Sequence, residues 1–489
     1  MLLRPAQIKV FEWQRFIKPV YGRAPLTAPV FFFCLFLNIP IDPVCTVIYN
    51  IIIIDSGEAI MSRRILVAGA GHGGLSAAIH LAKAGYDVTV YEKLSREAMG
   101  YEWHDAFYLP TMELLEIERE KLKDTKPFYP ISYCNPKKTV RLNTEDNRSS
   151  YLICVDRKQF LNLIIDKALE VGVKIEFDSP AEAAIINGNK VVGLRVNGKE
   201  IFGDLVIDSA GMFSPVRSSL PESFGIQKSF MQSETFYAYR IIFENKSNSV
   251  NKFPYTVYFY HCNRPGMDWV ITFEDSVDVL IGSFSPINQA DVDLALEDFK
   301  KEYPAIGEKI RAGSFHTIPL RRAISKFVAD GYAAVGDCAS MTEPLSGSGI
   351  HKSVDAGKCL AETIISAGDG EYTAKALWKY EHSYITKHRG VIVDGIIRDF
   401  MADFKGEDID YFLEKKILSQ KEIIHAGLSH DTPKEILSKI PALIPKIYVV
   451  PKFIKIISKF NKVNKIIKGI PEEYDEKAFE KWRKLYEKI

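Results

Sequence analysis

Few folds can accommodate the run Gly69-Ala-Gly-His-Gly-Gly74 where this chain places it, between an apolar tetrapeptide and an Ala- and Leu-rich stretch. Residues 65–68 read as a short buried strand, 69–74 as a tight turn, and 75–84 as a helix that Gly85 closes. Residues 86–91 supply a second strand that ends at Glu92. A strand–helix–strand unit this short makes a right-handed crossover within a parallel sheet. Gly69, Gly71, Gly73 and Gly74 let the turn close tightly and let backbone amides approach a pyrophosphate, whose charge the helix N-terminus favours. Glu92 can accept hydrogen bonds from ribose hydroxyls, and an acid there argues against a 2′-phosphate. Glycine-rich turns are common, but one between a strand and a helix points to dinucleotide binding. The turn alone does not separate NAD from FAD.

Later segments decide between them. Asp204-Leu-Val-Ile-Asp-Ser-Ala-Gly211 is a strand running into a small-residue turn, followed by Ser214-Pro-Val-Arg217. Gly331-Tyr-Ala-Ala-Val-Gly-Asp-Cys-Ala339 is another strand, ending on a carboxylate. Pro344-Leu-Ser-Gly-Ser-Gly-Ile350 then opens a helix over 350–365 whose N-terminal amides can face an anionic flavin edge. Between these motifs the reading gives a helix at 112–122 with polar loops after it, a helix at 156–171, a strand at 173–177, and a hairpin around Asn187-Gly188-Asn189. Residues 229–319 turn β-rich and aromatic, as a mixed or antiparallel sheet in a second domain would be. After Gly370 the pattern is helical to the end.

Four of these motifs stand in the order and at the separations of a known superfamily: the glycine turn, the Asp156-Arg157-x-x-Phe160 helix start, the D-x-A-G turn, and G-D…P…G-x-G. Over roughly residues 62–370 the chain resembles the flavoproteins that include aromatic-ring hydroxylases, flavin-dependent halogenases and geranylgeranyl reductases. The resemblance implies an α/β fold: a discontinuous Rossmann-like FAD-binding domain (61–228 and 321–370), a mixed or antiparallel substrate sheet (229–320) and a helical C-terminal extension (371–489). FAD is the cofactor it implies. By the same resemblance, Glu92 would bind the adenosine ribose, Arg157 would lie near pyrophosphate and flavin, and Ala181 would offer backbone to the adenine. Gly211 belongs to the second turn, where Asp208 is expected to fix the backbone rather than do chemistry. Gly336 and Asp337 would hold the ribityl chain or pyrophosphate. The turn Pro344–Gly347 would lead to Gly349 and Ile350, which would cover the flavin ring.

Within the superfamily, geranylgeranyl reductases resemble the chain best, through the P-L-S-G-S-G-I-H-K-S-V-D-A-G-K run, the middle sheet and the helical tail. The resemblance implies hydride transfer at the flavin to a hydrophobic, isoprenoid-class substrate, with NAD(P)H or ferredoxin left open as electron donor. A monooxygenase on the same fold and a flavin-binding protein without catalysis are the alternatives. Hydroxylases usually carry a histidine soon after G-D-x-A, whereas here Ser340 and Met341 follow. Halogenases carry W-x-W-x-I-P, which this chain does not reproduce. Two departures from the reductases stand out. Their Y-x-W-x-F-P element corresponds to Met267-Asp-Trp269-Val-Ile271-Thr272, where only the tryptophan survives. Their cysteine and paired glycines near the flavin are replaced by Gly100-Tyr-Glu-Trp-His-Asp105. If that loop takes the same place, Trp103 would stack near the ring and His104 or Asp105 would supply a proton; a packed aromatic loop with a capping Asp is the plainer account. His351 is a second candidate, though histidines at helix starts are usually structural.

Composition adds limits. At 489 residues the chain exceeds one compact core, and a net charge of +1 gives no pull toward nucleic acid. Seven scattered cysteines, never spaced as CxxC, indicate neither a disulfide framework nor a zinc site, so no metal and a reducing cytoplasm are expected. Residues 30–54 are strongly apolar, yet Asn38, Pro40, Asp42 and Pro43 interrupt them, which a membrane-spanning helix would not tolerate. The expectation is that residues 1–60 lie outside the fold and that translation starts at Met61, with a weak membrane anchor as the runner-up. Residues 452–468 place Phe453, Ile456, Ile457, Phe460, Val463 and Ile467 on one helical face, with Lys452, Lys455, Lys459, Lys462 and Lys465 elsewhere around the helix. Such a helix suits peripheral contact with an anionic membrane, or a core-facing helix with its lysines in water.

Overall fold

The computed structural model describes residues 63–144, 151–368, 370–418 and 438–489; the expectations for residues 1–60 and Met61 lie outside them. A six-stranded sheet runs in the spatial order Val328–Ala329, Tyr332–Ala334, Leu205–Asp208, Arg64–Ala68, Asp87–Tyr91, Lys174–Glu176. Its central strands are parallel, with Val67 beside Ile207 and Val90. Their residues are almost wholly buried, as strands covered on both faces must be. Helix His72–Lys83 covers one face and packs against Ile350–Ala367. These two helices meet backbone to backbone: a Cβ on Gly357 would lie 2.1 Å from the Gly73 carbonyl oxygen, and one on Gly73 would lie 2.7 Å from Val335. Asp156 caps helix Arg157–Glu170 by accepting the Gln159 amide at 2.8 Å.

The second sheet has seven strands, in the order Ile306–Pro319, Thr235–Asn245, Ser276–Ser283, Met267–Thr272, Tyr255–Phe259, Ile131–Cys134, Arg141–Asn143. It is mixed, because Tyr255–Phe259 runs parallel to Ile131–Cys134 while the other pairs are antiparallel. Two of its strands thus come from the polar stretch before residue 145. A helix, Gln289–Glu302, interrupts the β-rich stretch; Asn288 and Asp291 form its capping box, and Val292, Ala295 and Phe299 are its buried face. Strands His104–Tyr108, Leu152–Asp156 and Thr125–Pro127 form a small antiparallel sheet.

The continuous helix expected at 112–122 is not there. Thr111–Leu114 forms one turn, Glu116 takes a left-handed φ of 53°, and only a 3₁₀ turn follows at Arg119–Lys121. Met112, Leu115 and Ile117 are buried at spacings a helix would not bring to one side, and their burial overrides the helical propensity of the Glu/Lys-rich remainder. Beyond residue 370 the described chain is helical, as expected. Helix Val450–Ile467 buries Phe453, Ile456, Phe460, Val463 and Ile467 and packs on Arg389–Ala402. The face that suited a membrane is therefore part of the core. Among the described residues no helix is long and apolar enough to cross a membrane, and the five described cysteines are free thiols.

Candidate functional site

The glycine turn rests on the second small-residue turn. A Cβ on Gly69 would lie 2.8 Å from the Ser209 carbonyl oxygen, and one on Gly71 or Gly74 would lie 2.6 Å from the Ser209 side chain. The Gly74 amide donates to Ser209 Oγ at 3.1 Å. Asp208, fully buried, accepts from the Ala210 amide at 3.1 Å, Ser214 Oγ at 2.6 Å and Tyr332 Oη at 2.9 Å, so it fixes the turn. Arg217 ties that turn to the third motif, donating to the carbonyls of Met212 and Cys338.

These residues form a cradle that fits a dinucleotide. Helix His72–Lys83 begins at Gly71 with no capping side chain and no acid in its first turn, leaving its amide end to an anion. Helix Ile350–Ala367 begins the same way at Gly349. Added Cβ atoms on Gly211 and Gly347 would meet nothing within 4 Å, and both glycines hold positive φ. Glu92 accepts the Ala70 amide at 2.8 Å and the Leu94 amide at 2.9 Å, which fixes its carboxylate at the end of the second strand. Asp337 is the one exposed residue between Gly331 and Thr342, its carboxylate steadied by Thr342 Oγ1 at 2.6 Å. Gly336 turns the chain there with a φ of 70°, while Pro344 and Ile350 are buried behind the loop. Ala181 opens a strand, paired with Val196.

His72, an unassigned position inside the glycine motif, belongs to this site too. Its ring stacks on Phe160 at 5.8 Å, and its Nε2 is buried without a protein partner. Burial and then Arg157 push its pKa down to about 3, so the imidazole is neutral. The sequence signal was available: a histidine where the turn needs only a small or apolar residue.

The loop 100–105 lies beside this turn, since both Arg157 and Asp105 act electrostatically on His72. Trp103 stacks on Tyr101 at 4.4 Å, and the Arg157 guanidinium sits 4.7 Å over Tyr101. Asp105 binds Arg157 at 2.7 Å and Arg240 at 2.6 Å. Burial raises the Asp105 carboxyl, but the two guanidiniums outweigh it and hold it at about 2. A carboxylate so held positions cations and gives up no proton near neutrality. Arg240 also binds Asp278 at 2.6 Å and lies between the rings of Trp103 and Trp269, at 5.0 and 5.4 Å.

Strand alternation sends His104 the other way from Asp105. Its Nδ1 accepts from Arg311 at 2.7 Å and its Nε2 faces Asp124 at 3.1 Å. Burial lowers its pKa more than Asp124 raises it. His104, Asp124 and Asp156 are grouped as metal ligands are, but Arg311 also binds Asp156 at 2.9 Å and supplies the positive charge there. The histidine beside Trp103 is instead His316, on strand Ile306–Pro319, edge-on to Trp103 at 4.8 Å and to Tyr101 at 5.0 Å. Its Nε2 meets Ser314 Oγ at 2.6 Å, and burial, then Arg157 and Arg240, lower its pKa. Nothing local in the sequence marks it; the sheet register, Ala238 opposite His316, brings it in. His351 bonds Thr111 Oγ1 through Nδ1 at 3.0 Å, edge-on to Tyr108.

Comparisons with known proteins agree with this geometry. Residues 63–389 match the family model described as FAD binding domain. A digeranylgeranylglycerophospholipid reductase of Sulfolobus acidocaldarius is 21% identical over 78% of this chain and 86% of its own. Digeranylgeranylglycerophospholipid reductase 1 of Methanococcoides burtonii is 28% identical over 71% and 85%. Among solved structures, a geranylgeranyl bacteriochlorophyll reductase-like protein from Thermoplasma acidophilum shares the fold with a TM-score of 0.64, at 19% identity over 78% of this chain and 99% of that one. The oxygenase of 2-methyl-3-hydroxypyridine-5-carboxylic acid shares it with a TM-score of 0.53, at 18% identity over 75% and 96%. The chain belongs to the FAD binding domain family and is an FAD-dependent oxidoreductase.

Proposed function

We propose that the chain is a flavin-dependent reductase of carbon–carbon double bonds in a hydrophobic, isoprenoid-class lipid. The observation that carries this reading is the set of relatives matched over about 85% of their own length, which bear the name of such a reductase. FAD, once reduced by an external electron donor, would supply the hydride and return to its oxidised form. The glycine turn, Glu92 and Asp337 would hold it, and Gly349 with Ile350 would close over it.

The neighbouring sheet carries an apolar cluster in which Phe236, Leu280 and Leu320 are buried, with the partly buried Met267, Trp269 and Phe284 packed against them. Trp103 and Trp269 carry buried indole N–H groups with no protein acceptor, so each can orient a polar end of a substrate. Asp105 would set the positions of Arg157 and Arg240, and Trp103 would line the ring. His316 is a better placed proton relay than His104, because Ser314 is exposed and connects its imidazole to water. A neutral imidazole there passes a proton along rather than storing one.

The test is anaerobic mixing of the chemically reduced holoprotein with an isoprenoid lipid. Flavin reoxidation with appearance of hydrogenated lipid is the expected result, slowed in His316→Phe at unchanged FAD content. An inert lipid, with a hydroxylated product formed only when oxygen is admitted, would replace this reading with a monooxygenase, the activity of the structurally similar oxygenase.

A further inference from the structure

With the apolar face of Val450–Ile467 packed in the core, the exposed apolar surface lies elsewhere in the tail. The 3₁₀ segment Ile440–Val449 runs directly into that helix. Leu443, Val449 and Phe453 point inward, into a cluster with Phe404, Ile409 and Phe412. The residues between them point out: Ile444 is 66% exposed, Ile447 71%, Tyr448 56% and Ile454 55%. Pro441, Pro445 and Pro451 are exposed beside them. Four large apolar side chains this open within eleven residues are more than scattered surface exposure. The backbone is already anchored, because Tyr448 donates to Asp408 and Lys446 binds the same carboxylate at 2.6 Å.

Charge identifies the occupant. Residues 438–468 contain eight lysines and no acid. Lys455, Lys462, Lys465 and Lys468 lie exposed on the outward side of the helix that continues from the patch. With Lys446 held by Asp408, the exposed lysines along the helix leave a basic margin beside the apolar edge, and an anionic lipid surface attracts such lysines and accepts isoleucines and an interfacial tyrosine.

We propose that the edge formed by Ile444, Ile447, Tyr448 and Ile454, with its flanking lysines, docks the protein on an anionic lipid bilayer. The docking element is thus the proline-rich 3₁₀ segment and the start of the helix, not the amphipathic face of the helix itself. In supplying a lipid substrate this surface serves the reductase reading above, and to that extent the inference rests on it.

The experiment uses the full-length holoprotein and vesicles of phosphatidylcholine with or without phosphatidylglycerol, scored by co-sedimentation. Binding is expected only with phosphatidylglycerol and should weaken in high salt. Ile444→Ser/Ile447→Ser should lower the bound fraction about tenfold or more at unchanged FAD content and melting temperature. Equal binding by wild type and variant would overturn the proposal, as would no binding by wild type. A dimer in sedimentation velocity that the double substitution dissociates would also overturn it, assigning the patch to a second copy. Turnover of detergent-dispersed lipid is measured in parallel. Vesicle binding without turnover by wild type upholds the docking surface and removes the reductase reading; turnover equal in wild type and variant upholds both.

Discussion

Around the glycine turn the decisive contacts are backbone against backbone, as where Gly357 leaves no room for a Cβ beside the Gly73 carbonyl. On the facing sheet they are side chain against side chain, as where Asp105, Arg157, Arg240 and Asp278 share their charges between Trp103 and Trp269. The first region specifies a shape for a cofactor common to many enzymes. The second specifies the orientation of polar groups, the part that differs between enzymes on one fold. Each region should therefore fail in its own way.

A large effect belongs to the charged region. Arg240→Met leaves Asp278 buried without its partner and should cost about 3–5 kcal/mol in denaturant unfolding, while the folded fraction keeps its flavin spectrum. Flavin lost in step with Arg240 would mean the two regions are not separable.

Acid should unfold the regions in different windows. The pKa of His72 falls from 6.5 to about 3 on folding. Its stabilising contribution is present above 6.5 and is lost as pH falls toward 3, because the unfolded chain gains a proton the fold refuses. The linked loss is about 5 kcal/mol, absent from an apoprotein carrying His72→Gln. Asp105 falls from 3.8 to about 2, so its contribution is present above 3.8 and disappears as pH falls through 2. That loss is about 2 kcal/mol and should vanish in Asp105→Asn. Stability-versus-pH curves of the two variants distinguish the windows.

Gly357→Val should separate the two helices at a cost of about 3 kcal/mol and, unlike Arg240→Met, should abolish flavin retention, read as FAD per folded chain. The smallest effect is that of Glu92→Gln, which should weaken FAD binding by about 1–2 kcal/mol in a reconstitution titration and leave the stability of the charged region unchanged.

The same contrast explains what could be read from the sequence. Gly69–Gly74, the turn fixed by Asp208 and the helix opened by Gly349 were legible because each imposes a local backbone demand that few residues meet. The strand Ile131–Cys134 was not, because it joins the sheet through Tyr255–Phe259 far along the chain, and Arg141–Asn143 attaches only to it. Helix Gln289–Glu302 did carry a signal, the Asn288/Asp291 capping box, which the surrounding strands obscured. The apolar stripe of residues 452–468 was read correctly as amphipathic, but amphipathicity does not say whether protein or lipid covers it. His316 enters the site only through sheet register, and Asp105 shows its ionic role only once Arg240 is beside it.

The contact between the helices His72–Lys83 and Ile350–Ala367 has a consequence for biosynthesis. Ser76 Oγ donates to the Val354 carbonyl across 278 residues of chain, so the glycine turn leaves the ribosome long before the helix that braces it. During that interval the first half exposes the apolar face that Ile350–Ala367 will cover, and it lacks Asp337 and Gly349. With Asp337 and Gly349 holding the flavin as proposed, its capture is expected only after residues up to 367 have been made, and not while the glycine turn stands alone.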